Sequence, residues 1–304
     1  MFKNFCPPAL GINGRQSELI ELALTYAFRG IDVDMQDMLR RSQRTTFEES
    51  AKYIQATDIR IGSFNLWVDL DADDDAFTAA VAQLHPLSEF AEKLKADRAI
   101  VRLPAATDRL PFNEFFEVQQ TRIRQIADVL HPKGVKLGID FQAGNELTSD
   151  KQFPFVNTVE AFRAFVDSLA GDSIGYVIDT WDWIIGNGAM DQLSEIPGDK
   201  IVAVRLGSLA EDADPATAQS TDRVLPVQSG LIDHVKVVAH LDSTSFDGPI
   251  SPTASTANYV GQTREFIVQK AQEAIDGICS EAGLTVAPLP MDLIEDIPYE
   301  PTPM

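Results

Sequence analysis

Charged side chains end several apolar segments of this 304-residue sequence. The apolar run in SIGYVIDTWDWIIGN stops at Asp179 and Asp182, and the run KLGID stops at Asp140. Arg102 and Arg205 take the matching place in AIVRL and VAVRL. A charge beside buried apolar residues is costly unless it is paired. We therefore expect these residues to be paired with one another, with a ligand or with a metal ion.

Two kinds of chemistry suit these residue types. In an acid–base site, Asp140, Glu146 and Asp179 would accept protons. Arg102 or Arg205 would then stabilise the enediolate that forms next to a carbonyl group. In a metal site, Asp140 and Asp179 would supply oxygen ligands for Mg²⁺ or Mn²⁺. A purely structural network of arginines and aspartates is a third interpretation.

Alternating strand and helix segments position these residues. The strands are predicted at residues 2–12 (including the following loop), 31–35, 60–68, 99–105, 135–143, 174–181, 200–209 and 246–252. Eight such units, with strands rich in Val, Ile and Leu, predict an α/β protein with a single (β/α)8 TIM barrel. An open doubly wound sheet is the alternative, but no glycine-rich phosphate loop follows the first strand. The barrel is predicted to span residues 1–282, and residues 283–304 form an acidic, proline-containing tail.

The carboxyl ends of the strands carry the active sites of such barrels. The predicted substrate-binding residues at these ends are Asp34, Trp67, Arg102, Trp181 and Asp182. The pocket is expected between the fourth and eighth strands. The polar, acidic loop 209–230 is expected to form its roof.

Five motifs in this sequence resemble one family of barrels. They are GIDVDM, KLGIDFQAGNE, GYVIDTWDW, VAVRLGS and SGLIDHVKVVAHLDSTSFDGPISP. Together they resemble the xylose isomerase-like barrels, a sugar phosphate isomerase/epimerase group, over about the whole predicted barrel. The resemblance implies an isomerase, epimerase or lyase that holds one divalent cation at the carboxyl face.

The ligands of that cation are only partly present. In the family, a Glu, an Asp, a His and a Glu on the fifth to eighth strands hold the metal. The corresponding residues here are Asp140, Asp179, Arg205 and either Ser251 or Thr253. Arginine is always protonated and cannot bind a cation. The metal site is therefore predicted to be incomplete and no cofactor is expected, unless Asp140 and Asp179 hold Mg²⁺ or Mn²⁺. We expect Arg205 to take the place of the metal and to bridge Asp140 and Asp179.

The charge and composition of the sequence argue against nucleic acids and membranes as binding partners. A net charge of −21 opposes binding to the phosphate backbone of nucleic acids. No run of about 18 apolar residues predicts a membrane span, and two isolated cysteines do not indicate a disulfide framework or a zinc site. We expect a cytoplasmic protein with a small, sugar-like ligand, and the resemblance further implies a homodimer.

Two functions of different classes follow. The first is an isomerase or epimerase that acts on, or binds, a small keto-sugar, polyol or sugar phosphate. The alternative is a non-catalytic barrel, a pseudoenzyme that binds a ligand or a protein. The second gains support because the family's His on the seventh strand and Glu on the eighth strand are missing. No histidine is predicted at a strand end for acid–base chemistry either. The histidines predicted at surface or structural positions are His85, His131, His234 and His240.

Overall fold

Strands and helices alternate along residues 1–169, 171–244 and 246–286, which the computed structural model describes. The strands are β1 (Phe2–Phe5), β2 (Gly30–Ile31), β3 (Arg60–Ile61), β4 (Phe64–Asn65), β5 (Arg98–Arg102), β6 (Ala106–Thr107), β7 (Lys136–Asp140), β8 (Phe153–Pro154), β9 (Ile174–Asp179), β10 (Ile201–Leu206), β11 (Ser208–Leu209), β12 (Arg223–Val224) and β13 (Pro249–Pro252). The α-helices are α1 (Gln16–Thr25), α2 (Met35–Arg44), α3 (Phe47–Gln55), α4 (Asp74–Ala82), α5 (Leu84–Leu94), α6 (Phe112–Leu130), α7 (Val159–Asp167), α8 (Thr180–Ile185), α9 (Met190–Ser194), α10 (His234–Ser243) and α11 (Arg264–Glu281). Most of the predicted tail, residues 287–304, lies outside the described residues.

Nine strands form one parallel sheet in the order β3-β2-β1-β13-β10-β9-β7-β5-β4. Its end strands, β3 and β4, are separated in the chain only by Gly62 and Ser63, so the sheet closes into a barrel through this segment. The eight predicted strands correspond to β1, β2, β3 with β4, β5, β7, β9, β10 and β13. The (β/α)8 TIM barrel is thus confirmed, although the third predicted strand is two short strands.

A buried amide lies beside this interruption of the third strand. The side chain of Asn4, on β1, is fully buried. A Cβ atom at Gly30 would lie 2.7 Å from Asn4 Oδ1, and a Cβ atom at Gly62 would overlap the same amide group. Glycine at both positions therefore leaves the room that a polar side chain needs inside the barrel.

The helices cover the outer face of the barrel with aromatic side chains. Phe162 of α7 stacks on Phe141 with ring centres 4.4 Å apart, and it meets Tyr176 of β9 edge-on at 5.4 Å. Burial of each such ring contributes on the order of 2 kcal/mol, so the helical layer holds the strands that carry the site. No helix in the described part of the chain combines the length and the apolar character that crossing a bilayer requires.

Candidate active site

An apolar layer inside the barrel supports the site from below. Ile100 of β5, Val177 of β9 and Ala203 of β10 form a separate buried cluster. Gly138 of β7 borders the same space, because a Cβ atom there would lie 2.7 Å from Val177 Cγ2. Side chains two residues apart on a strand point to the same face. The residues two positions further along these four strands therefore also face the interior.

Those four residues are charged, and three of them form one cluster. Arg205 Nη1 donates to Asp140 Oδ2 at 2.9 Å, and Arg102 Nε donates to the same oxygen at 3.0 Å. The two arginines differ in exposure, because the Arg205 side chain is 7% exposed and the Arg102 side chain 49%. Burial opposes ionisation of Asp140, but the charges of Arg102 and Arg205 outweigh it and hold its pKa below the usual value.

The fourth residue, Asp179, belongs to a second cluster. Its Oδ2 accepts from Arg223 Nη1 at 2.7 Å, and Asp182 Oδ2 accepts from Arg223 Nη2 at 2.7 Å. Asp179 also caps α8, because its Oδ1 accepts from the backbone N–H groups of Trp181 and Asp182. The Arg223 guanidinium lies 4.8 Å from the centre of the Trp181 ring. One arginine thus bonds to two buried carboxylates and is held against an aromatic face.

The prediction that Arg205 bridges both carboxylates is wrong for Asp179. Arg205 lies beside Asp179 in the register of β10 and β9, but its guanidinium extends to Asp140. Asp179 is paired instead with Arg223, which comes from the loop that the sequence predicts as a roof. The prediction missed Arg223 because a polar loop has no periodicity that shows which of its residues turns inward.

The carboxyl group of Asp182 has a pKa close to neutral. Burial, and then the nearby charges of Asp179 and Asp140, raise its pKa to about 7, although Arg223 opposes the shift. Its Oδ1 accepts from the backbone N–H of Ala143 at 2.8 Å. Both oxygens are therefore occupied by protein donors.

Other contacts hold the Arg223 loop in place. β11 and β12 form an antiparallel pair in which Leu209 faces Arg223. Glu146 Oε1 accepts from the backbone N–H of Ser220 at 3.0 Å and from its hydroxyl group. Glu146 is exposed, so the structure places this predicted proton acceptor after β7 against the Arg223 loop, and not among the inward-facing charges. His234, predicted at a surface or structural position, is buried and contacts Thr180 Oγ1 at 3.0 Å and the Val227 carbonyl oxygen at 2.7 Å.

Trp181 does not fit its predicted role as a ligand-binding surface. Its side chain is 0% exposed, and so is that of Trp183. Trp181 supports Arg223 from within the fold instead. Trp67, in contrast, is 57% exposed, and the guanidinium of Arg40 lies 4.8 Å from its ring centre.

A cavity of about 600 Å³ opens at the carboxyl ends of β1 to β4. Its lining includes Asp32, Asp34, Arg41, Asn65 and Trp67. Its position corrects the expected pocket, which was placed between the fourth and eighth predicted strands. In that region Arg102 and Arg205 are ion-paired with Asp140. A smaller cavity of about 250 Å³ adjoins the exposed part of Arg102.

Two aspartates at the end of β2 play different parts in this cavity. Asp34 caps α2 by accepting from the backbone N–H of Asp37 at 2.9 Å, and it is exposed. Asp32 lies deeper and accepts from Asn4 Nδ2 at 2.8 Å. Burial raises the pKa of Asp32 above its usual value, although a hydrogen bond from Cys6 and the charge of Arg205 act against the shift. The Cys6 thiol stays protonated because burial and Asp32 raise its pKa.

The side chains at the family's metal position do not fit a divalent cation. Arg205 faces Ser251 of β13 in the strand register, and Ser251 Oγ accepts from Asn4 Nδ2 at 2.9 Å. At the positions where the sequence resemblance implies a His and a Glu ligand, this chain therefore has a guanidinium and a hydroxyl group. Among the residues described, no three His, Cys, Asp or Glu side chains are grouped to hold a metal ion.

Comparison with known proteins agrees with the fold. The model of the xylose isomerase-like TIM barrel family matches residues 20–286. An inosose isomerase of Bacillus velezensis is 21% identical over 272 residues, which cover 88% of this chain and 94% of that protein. An inosose isomerase of Bacillus subtilis is 24% identical over 185 residues, 60% of this chain and 63% of that protein.

Solved structures show the same barrel. A xylose isomerase domain protein from Alicyclobacillus acidocaldarius superposes with a TM-score of 0.82 at 20% identity, covering 93% of this chain and 99% of the other. The IolI protein, crystallised with a bound zinc atom, gives 0.77 at 18% identity with the same coverage. D-psicose 3-epimerase from Clostridium cellulolyticum, solved with D-tagatose, gives 0.68 at 14%, again covering 93% and 99%. This chain belongs to the xylose isomerase-like TIM barrel family.

Proposed function

We propose that this protein is a metal-independent member of the sugar isomerase and epimerase superfamily that takes a small keto-sugar, polyol or sugar phosphate at the carboxyl face of its barrel. The observation that carries the proposal is the cavity of about 600 Å³ at the ends of β1 to β4. Its size lies in the range of small-molecule sites, which span about 300–1,000 Å³. The inosose isomerases and epimerases that resemble the chain support this class of ligand.

The lining of the cavity suits a polyhydroxylated molecule. Asp34, Asn65 and Arg41 offer acceptors and donors for hydroxyl groups, and Trp67 offers an exposed aromatic face. A few polar groups beside an apolar surface are typical of sites that orient small ligands. Arg41 and Arg15 also bring positive charge for an enediolate or a phosphate group.

A fixed arginine in place of the metal supports metal independence. Arg205 is a permanent cation bonded to Asp140, so the carboxylate is neutralised without a bound ion. In this proposal the superfamily's divalent cation, including Mg²⁺ or Mn²⁺ on Asp140 and Asp179, has no part.

Binding without turnover is the alternative function. It is favoured by the saturation of Asp179 and Asp182, whose four oxygens all accept hydrogen bonds from the protein. Oxygens that already accept hydrogen bonds from the protein are poorly placed to take a proton from a ligand. A pseudoenzyme would therefore keep this network only to stabilise the barrel.

Calorimetric titration tests the proposed ligand site. The probes are an inosose, D-fructose and D-tagatose, added to wild type and to Trp67→Ala. We expect at least one probe to bind, and Trp67→Ala to weaken it roughly tenfold, because covering part of an indole face contributes on the order of 1 kcal/mol. Leu231→Ala, which removes an exposed apolar side chain outside the cavity lining, should leave the Kd unchanged. The proposal fails if no probe binds, or if both variants change the Kd equally.

A further inference from the structure

We propose that Asp32 is the carboxylate that removes a proton from the carbon next to the carbonyl of a ketose or inosose bound in the cavity, and that returns it. This inference rests on the proposed function. It assigns the proton transfer to the end of β2, away from the Asp140 and Asp179 positions that the sequence indicates. Three observations support it: the hydrogen bonds that hold the Asp32 carboxylate, the surroundings that raise its pKa, and its exposure to the cavity.

The position of Asp32 is fixed by hydrogen bonds. Its backbone N–H donates to the Phe5 carbonyl at 2.9 Å, and its Oδ1 accepts from Asn4 Nδ2 at 2.8 Å. Asn4 is itself held, because Nδ2 also donates to Ser251 Oγ at 2.9 Å and Gly30 and Gly62 lie close against its amide. Side-chain hydrogen bonds from Cys6 and Ser63 also reach this carboxylate, so its direction at the edge of the cavity is defined.

The environment of Asp32 increases its basicity without neutralising it. The residue lines the cavity and is only partly buried, so a ligand can reach it. Burial of the carboxyl raises its pKa, and the strongest opposing contact is a hydrogen bond from the Cys6 thiol. A base works best when its pKa approaches the working pH. Among the carboxylates described in the inner clusters, Asp140, Asp179 and Asp182 are instead each bonded directly to an arginine. The pKa of Asp182 is raised to about 7, but both of its oxygens already accept hydrogen bonds from the protein.

The proton transfer balances without any other reactant. A carboxylate oxygen of Asp32 takes the proton, the electron pair of the C–H bond becomes a C=C bond, and the carbonyl π pair moves onto oxygen to give an enediolate. The positive charge of Arg15 lies on the same cavity and favours that anion, together with Arg41, which shares its charge with Asp37 at 3.1 Å. Neutral Asp32 then returns the proton to the original carbon, which restores the first carbonyl group. Alternatively it returns the proton to the neighbouring carbon, and the carbonyl group moves along the chain as the α-hydroxyl proton passes to the former carbonyl oxygen.

Deuterium uptake from D2O tests this role. The probe that binds best in the calorimetric titration is incubated with the protein, and loss of its α-proton signal is followed by NMR against a protein-free blank. We expect wild type to exchange the α-proton. Asp32→Asn should slow the exchange by at least 100-fold, in line with the contribution of general bases, and should change the Kd by less than about threefold. The control is Asp58→Asn. Asp58 is an exposed acid that precedes β3, at the end of the barrel opposite the cavity, so this variant should match wild type.

Each outcome has a distinct meaning. Binding without exchange, or undiminished exchange in Asp32→Asn, overturns the role of Asp32 and leaves the proposed ligand site intact. Failure of every probe to bind overturns the proposed function itself. If Asp32→Asn does not fold, Asp32→Glu replaces it. That variant keeps a carboxyl group but displaces it by one methylene, and it should lose at least tenfold in exchange rate.

Discussion

Replacing Arg223 with alanine is expected to lower the free energy of unfolding by about 3 to 5 kcal/mol, the usual loss when one partner of a buried ion pair is removed. Arg223 is the direct ionic partner of both Asp179 and Asp182, which are almost fully buried. Its loss leaves two like charges close together in the protein interior. Urea denaturation of wild type and the variant measures the change.

The pH dependence makes the test of Arg223 specific. Asp182 has a folded pKa of about 7, above that of an unfolded aspartate, so its contribution to stability falls as pH rises from about 4 to about 7. Without Arg223 this pKa rises further, and the loss should be larger at about pH 8.5 than at about pH 6. Adding Asp182→Asn to Arg223→Ala should recover part of the stability by removing one unpaired charge. A loss that is small at both pH values and unaffected by Asp182→Asn would contradict the paired network.

Arg205 and Arg102 provide a matched comparison, because both bond to the same oxygen of Asp140. We expect Arg205→Ala to cost about 3 kcal/mol, because a buried charge loses its buried partner. Arg102→Ala should cost about 1 kcal/mol or less, because half of that side chain is exposed and solvent screens the pair. Denaturation of both single variants measures the two losses. Equal losses, or a larger loss for Arg102→Ala, would show that Arg205 is not the principal counter-charge.

The sequence predicted the inward-facing charges because strand periodicity is local. In a parallel barrel strand, the step from Gly138 to Asp140 or from Ala203 to Arg205 keeps the same face. The pairing of these charges could not be predicted in the same way. Arg223 reaches Asp179 from a loop 44 residues further along the chain. A contact of that kind depends on tertiary packing and leaves no periodic pattern.

The cavity residues show a second limit of sequence reasoning. The second strand was predicted to run over residues 31–35, which made Asp34 its end. The observed strand stops at Ile31, so Asp32 lies at the barrel mouth and Asp34 becomes a helix cap. The sequence does contain a signal for this cap. Asp34 directly precedes a helical run, and aspartate is a typical N-cap residue that accepts from the backbone N–H three residues later, here that of Asp37. The catalytic and binding roles, the homodimer and the cytoplasmic location stay predictions.

We propose that Arg205 takes the place of the divalent cation in this barrel. Elemental analysis of protein purified without chelator tests it most directly, together with thermal melts in Mn²⁺, Mg²⁺, Zn²⁺ and EDTA. A metal that binds only the folded state raises its stability by mass action, and a chelator removes that gain. We predict no stoichiometric metal and no change in Tm under any of these conditions. About one metal ion per chain with a chelator-sensitive melt would contradict the claim.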